Sequence, residues 1–128
     1  MNVLALITAA GSSSRIGSHI GKKEYLSIGP RRVVCMTCAA FYETNLFTRI
    51  YITVPPGDEQ IVRGFLIEDG LPADTAPGER IILVPGGKTR QMSVRAGIEA
   101  AAAHTGNRPS DLPDVILIHD GARPWISP

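Results

Sequence analysis

The sequence predicts an α/β domain built on a mostly parallel sheet, layered with helices. Three observations carry this expectation. Apolar runs that read as strands alternate with segments that read as amphipathic helices. The runs are continuous rather than alternating, which is the habit of strands buried on both faces. Three of them end in stretches rich in glycine and polar groups. In an open parallel sheet those strand ends share one rim, and ligands bind there.

The elements follow in order. Val3-Leu4-Ala5-Leu6-Ile7 is the first strand, broken at Gly11. Arg32 to Tyr42 reads as a helix, with Val34, Cys38 and Phe41 at helical spacing. Ile50 to Val54 is a β-branched strand stopped by Pro55-Pro56. Asp58 is placed to cap a helix carrying Ile61, Val62, Phe65 and Leu66 on one face, and Gly70 to end it. Arg80 to Val84 is a third strand, stopped by Pro85-Gly86-Gly87. Thr89 is placed to cap a helix through Met92, Ala96 and Ala100 to about His104. After a polar loop from Thr105 to Pro113, Val115 to Ile118 reads as a buried fourth strand ending at His119-Asp120-Gly121.

The length of 128 residues suits a single domain over 1–128. Thirteen glycines and ten prolines are too few for a disordered chain. Asp120 to Pro128 follows a strand without a helix to cover the sheet beyond it. The chain therefore reads as the N-terminal part of a longer catalytic domain. A net charge of +1 lacks the electrostatic footprint of a nucleic-acid-coating protein. The run from Val3 to Ala10 is too short to span a bilayer and lacks the flanks of a signal peptide. Two cysteines make no disulfide framework, so a cytoplasmic chain with reduced thiols is expected.

Several familiar motifs fail on inspection. Gly87-Lys88-Thr89 lacks the earlier glycine of a P-loop, since position 82 is Ile. Ser13 stands where a dinucleotide fingerprint needs its second glycine, and the second strand ends without an acidic residue for a ribose. Cys35 and Cys38 are a single pair inside a helix, which favours buried structural thiols over four-ligand zinc. No Gly-x-Ser-x-Gly elbow is present, and His119 and Asp120 point opposite ways from one strand.

The three rim stretches suit one chemistry. The turn after the first strand offers backbone N–H groups with little side-chain bulk, a nest for phosphate. Arg15 adds a charged fork and Lys23 a point charge. Gly86-Gly87 lets backbone approach a flat ligand, and Ser93 offers a hydroxyl one turn into the next helix. Asp120 brings a carboxylate that suits magnesium. There is no obvious protein nucleophile. That combination fits nucleotidyl transfer, where the substrate attacks and the protein supplies position and charge.

These stretches resemble the nucleotidyltransferases that activate sugar and polyol phosphates, and most closely the 2-C-methyl-D-erythritol 4-phosphate cytidylyltransferase family. The residues that carry the resemblance are Ala9-Ala10-Gly11-Ser12-Ser13-Ser14-Arg15-Ile16 with Lys23-Glu24-Tyr25-Leu26, then Gly86 to Val94, then Ile118-His119-Asp120-Gly121-Ala122-Arg123-Pro124. The resemblance implies a Rossmann-like three-layer fold of nucleotidyltransferase type. It implies transfer of CMP from CTP to the polyol phosphate, with release of pyrophosphate, for isoprenoid precursor synthesis. Arg15 and Lys23 match the family's transition-state cations, and Ala9, Ala10, Gly11 and Ser13 its nucleotide loop. Gly87, Lys88 and Ser93 match positions that meet the cytosine, Gly121 one near the ribose, and Asp120 the Mg2+ ligand. Departures are Ser13 for a common glycine, Lys22 for a proline, and a segment from Ile16 to Lys23 one residue longer. The residues that hold the polyol phosphate, and the arm that forms the family's homodimer, fall beyond Pro128. Other readings are a pentitol-phosphate cytidylyltransferase, a non-catalytic nucleotide-binding module, and a dinucleotide-binding oxidoreductase domain.

Overall fold

The computed structural model describes residues 3–9, 27–28, 31–71, 80–105 and 115–120. Of residues 27–28, 31–32, 104–105 and 120 it describes the backbone alone.

Strand β1 (Val3–Thr8) lies at the centre of a four-stranded sheet. The first crossover is a short antiparallel ribbon of β2 (Ser27–Ile28) and β3 (Arg31–Arg32), followed by helix α1 (Val33–Glu43). Strand β4 (Arg49–Val54) then pairs parallel to β1 on one side. Helix α2 (Glu59–Glu68) leads to β5 (Ile81–Pro85), which pairs parallel to β4. Helix α3 (Arg90–Thr105) carries the chain back across the sheet to β6 (Val115–Asp120), parallel to β1 on its other side. The order is β5-β4-β1-β6. The parallel α/β architecture expected from the sequence is the one observed. The two-residue strands of the ribbon were not expected, because segments that short carry no periodicity.

Continuous apolar strands are explained by the two layers that cover them. Ala5 and Ile7 of β1 and Ala9 just beyond it, with Ile50, Ile52 and Val54 of β4, pack on Val34, Cys38 and Phe41 of α1 and Val62 and Leu66 of α2. Leu4 and Leu6 of β1, with Tyr51 and Val84, pack on Ala101 of α3. Each fully buried aliphatic side chain contributes about 1.5–3 kcal/mol. Cys35 and Cys38 are both buried and are not joined in a disulfide, in keeping with structural thiols.

The α2 termini follow local chemistry. Gly70 has φ +81, its amide donates to the Ile67 carbonyl at 3.0 Å, and the Leu71 amide donates to Leu66 at 2.9 Å. That is a Schellman closure, which favours glycine at the left-handed position. At the other end Asp58 holds the cap position, but its side chain makes no capping hydrogen bond. Glu59 instead accepts from the Gly57 amide at 2.8 Å. Ile61, expected on the buried face, is 49% exposed, because Val62 and Leu66 alone meet the core squarely.

Helix α3 buries a row one residue on from Met92, Ala96 and Ala100. Ser93, Gly97 and Ala101 are buried, whereas Met92 is 51% exposed. The small residues recur every four positions and let the helix close on β1, where a β-carbon on Gly97 would overlap Leu6. Apolarity alone pointed to Met92, Ala96 and Ala100; close approach selects small size instead.

The fourth strand also differs from expectation. Val115, Leu117 and Ile118 are 41–47% exposed, so β6 is not a buried strand here. Its one pairing among the described residues is with β1, and the helices centre on β1 and β4.

Candidate functional site

The four parallel strands end at one rim of this sheet, and β1, β5 and β6 lead there into the three stretches singled out from the sequence. The Ala9 amide donates to the Thr53 carbonyl and the Gly86 amide to the Val54 carbonyl, each at 2.8 Å. These two bonds fix the exits of β1 and β5 on either side of the end of β4. On the other side of β1, Asp120 stands in register with Thr8. The Thr8 hydroxyl donates across to the His119 carbonyl at 3.4 Å. The chain runs outward from β1 through β4 and β5, then returns to place β6 on the opposite flank. The order therefore reverses between β1 and β6, and a crevice opens at such a switch point.

His119 is held on the α1 face. Its ring meets Phe41 edge-on, with centroids 5.4 Å apart and planes at 67°. Phe41 meets Phe47 in the same manner at 5.1 Å. The last turn of β6 is thus anchored to α1 next to the position of Asp120.

The third loop is a built turn. The Thr89 hydroxyl accepts the Met92 amide at 3.1 Å, and its carbonyl accepts the Ser93 amide at 3.0 Å. Thr89 caps α3 as its residue type suggests. Ser93 is 1% exposed, and its hydroxyl accepts the Gly87 amide at 3.1 Å. The same hydroxyl donates to the Gly87 carbonyl at 3.4 Å. Both polar groups of Gly87 are therefore held by one side chain. Against the α-carbon of Gly87 lies Met92, which would overlap any β-carbon there.

Of the residues singled out from the sequence, Ala9 is fully buried at the end of β1 and Lys88 is exposed at the rim. Gly87 and Ser93 are brought together, and Ala9 and Asp120 follow and occupy the ends of neighbouring strands. Arg15, Lys23, Ala10, Gly11, Ser13 and Gly121 lie outside the described residues. Among the described residues no three His, Cys, Asp or Glu gather as a metal group. Two positions at this end of the sheet were missed. Met92 is read from the sequence only as a helix residue, and Thr53 only as a strand residue. Thr53 is fully buried, and its hydroxyl has no hydrogen-bond partner among the described residues. The one aliphatic hydroxyl in the run Ile50-Tyr51-Ile52-Thr53-Val54 was the available signal.

Comparison with known proteins agrees with this architecture. A 2-C-methyl-D-erythritol 4-phosphate cytidylyltransferase from Prosthecochloris aestuarii is 35% identical over 129 residues, which is 100% of this chain and 50% of that protein. One from Syntrophotalea carbinolica is 37% identical over 128 residues, again 100% of this chain and 49% of the relative. The chain thus spans about half the length of these curated relatives. Among solved structures, the Thermus thermophilus 2-C-methyl-D-erythritol 4-phosphate cytidylyltransferase superposes with a TM-score of 0.58 at 29% identity, over 99% of this chain and 44% of that one. The Anaerococcus prevotii 4-diphosphocytidyl-2C-methyl-D-erythritol synthase gives 0.69 at 25% identity, over 98% and 46%. With residues 3–128 also matching the family pattern as a whole, the chain belongs to the 2-C-methyl-D-erythritol 4-phosphate cytidylyltransferase family.

Proposed function

We propose that this chain carries the nucleotide half of an enzyme that transfers CMP from CTP to 2-C-methyl-D-erythritol 4-phosphate. The observation that carries the reading is the switch point between β1 and β6. There Thr8 opposes Asp120 in register, so the loop of Ala9 to Arg15 and the His119 to Pro124 segment leave from adjacent strand ends. The relatives bear the name of this reaction, which favours methylerythritol phosphate over a pentitol phosphate as acceptor.

The chemistry needs no protein nucleophile. An oxygen of the acceptor's phosphate attacks the α-phosphorus of CTP in line. The bond from that phosphorus to the bridging oxygen breaks, and pyrophosphate leaves with its electron pair. The protein's task is to hold the phosphates and spread the charge that builds up. Arg15 and Lys23 carry that charge in this reading. The amides around Ala9, Ala10, Gly11 and Ser13 cradle the phosphates, and Gly121 lies by the ribose. Gly87, Lys88 and Ser93 receive the cytosine.

A magnesium ion suits this reading. Asp120 is the last residue of β6 and is the carboxylate this reading assigns to the ion. A magnesium ion typically takes one or two carboxylates and fills its remaining positions with phosphate oxygens and water. Asp120 would hold it, and when bound it neutralises charge on the phosphates.

The whole protein works on CTP and a polyol phosphate, without nucleic acid or membrane, in the cytoplasm and as a homodimer. No described helix is long and apolar enough to cross a membrane. Product analysis with CTP and each acceptor tests the reading in a chain extended to the relatives' length. Formation of cytidine-diphosphate methylerythritol supports it, and turnover of ribitol phosphate alone contradicts it. In that enzyme Arg15→Ala is expected to cost roughly a hundredfold or more in rate. Asp120→Ala is expected to remove the magnesium dependence together with activity.

A further inference from the structure

Two glycines at a strand end invite a flat ligand to lie on bare backbone. At Gly87 that space is already taken. A β-carbon there would overlap Met92 Cβ and lie 3.3 Å from Met92 Cε, so the thioether side chain runs along the glycine. Met92 nevertheless keeps 51% of its surface exposed. Its neighbours in the turn carry polar or charged side chains. Thr89 caps the helix, Ser93 holds both polar groups of Gly87, and Lys88 and Arg90 are exposed cations. From Gly86 to Ser93 the one exposed apolar side chain is that of Met92, with Pro85 exposed just before the turn. A thioether is polarisable and gains about 0.3–1.5 kcal/mol against an aromatic ring. The rings of Phe41 and Phe47 belong to the core under α1, and Tyr51 is buried beneath α3.

We infer that Met92 is a base-binding residue: the pyrimidine of the nucleotide packs on its thioether, at a height set by Gly87. This rests on the cytidylyltransferase reading and deepens it. The contact is with the ring and not with the phosphates. It contributes to nucleoside affinity and leaves phosphate binding untouched. The absent β-carbon of Gly87 then serves the Met92 contact first and the ligand through it.

Two variants and a base-free probe test this in the full 128-residue chain. CTP and inorganic tripolyphosphate, each with magnesium, are titrated calorimetrically into the unaltered chain, Met92→Ala and Met92→Leu. Met92→Ala is expected to weaken CTP about three- to tenfold and to leave tripolyphosphate unchanged. Met92→Leu should recover most of the loss by restoring apolar volume. Unchanged CTP affinity in Met92→Ala overturns the inference, as does equal weakening of both probes. Failure of the unaltered chain to bind CTP removes the underlying nucleotide reading, and this inference with it. Oxidation gives a measurement without substitution. Under dilute peroxide, CTP should slow sulfoxide formation at Met92 several-fold relative to Met1 in the same sample. Equal rates with and without CTP overturn it.

Discussion

Gly97 of α3 and Leu6 of β1 share a space too small for one more carbon. A β-carbon on Gly97 would overlap Leu6 Cδ1 and stand 2.8 Å from Cδ2. Leu6 is 1% exposed and has no solvent into which to swing. This contact sets how near α3 lies to the sheet. It thereby sets the height of the Gly86–Gly87 turn, which the first turn of α3 holds through Ser93.

Gly97→Ala should therefore destabilise the chain despite alanine's better helix propensity. Overpacking costs about 1–3 kcal/mol, and the propensity gain returns only about 1. Denaturant unfolding measures the net loss. Combining Gly97→Ala with Leu6→Ala should cost less than the two single losses together, because the second removes the clash of the first. Strict additivity would contradict the contact.

Ser93→Ala should loosen the Gly87 turn. Loss of a hydroxyl that serves both an amide and a carbonyl costs about 1 kcal/mol. The specific readout is hydrogen exchange at the Gly87 amide, which should quicken in the variant while the β1 and β4 amides hold their rates. Unchanged exchange at Gly87 would contradict the bond.

Thr53→Val tests the opposite situation. The Thr53 hydroxyl is buried without a partner among the described residues. An unsatisfied buried hydroxyl costs about 1–3 kcal/mol, and valine keeps the shape without the polar atom. The variant is expected to raise the unfolding midpoint. A lower midpoint would mean that the hydroxyl finds a bonding partner in solution.

The α/β alternation was legible because buried parallel strands write themselves as continuous apolar runs, as Val3 to Ile7 and Ile50 to Val54 do. The Thr89 cap and the Gly70 closure were legible because each depends on local residue chemistry. Asp58 shows where that fails: a suitable residue stood at the cap while Glu59 bonded the Gly57 amide. The face of α3 was not legible. Its burial is decided by the fit of Ser93, Gly97 and Ala101 to the sheet, which no hydropathy pattern reports. At the candidate site, the shared rim followed from strand order. The mutual hold of Gly87 and Ser93 across six residues needed coordinates.

Alkaline pH should weaken the fold through Cys38. Burial pushes its thiol from the ordinary 9.0 up to about 12. The unfolded chain releases that proton first as pH rises. The stability is therefore intact below about pH 9 and is lost progressively as pH rises toward about 12. The slope from this group reaches about 1.4 kcal/mol per pH unit. Denaturant unfolding between those limits should show it, and Cys38→Ala should flatten it. An unchanged slope in the variant would show that other groups govern the alkaline loss.

In the proposed function this rim is a cytidine nucleotide site. Calorimetric titration of the chain with CTP and magnesium, with UTP and ATP run in parallel, tests it most directly. CTP is expected to bind, and UTP and ATP to bind far more weakly. Equal affinity for all three, or binding of none, would contradict it.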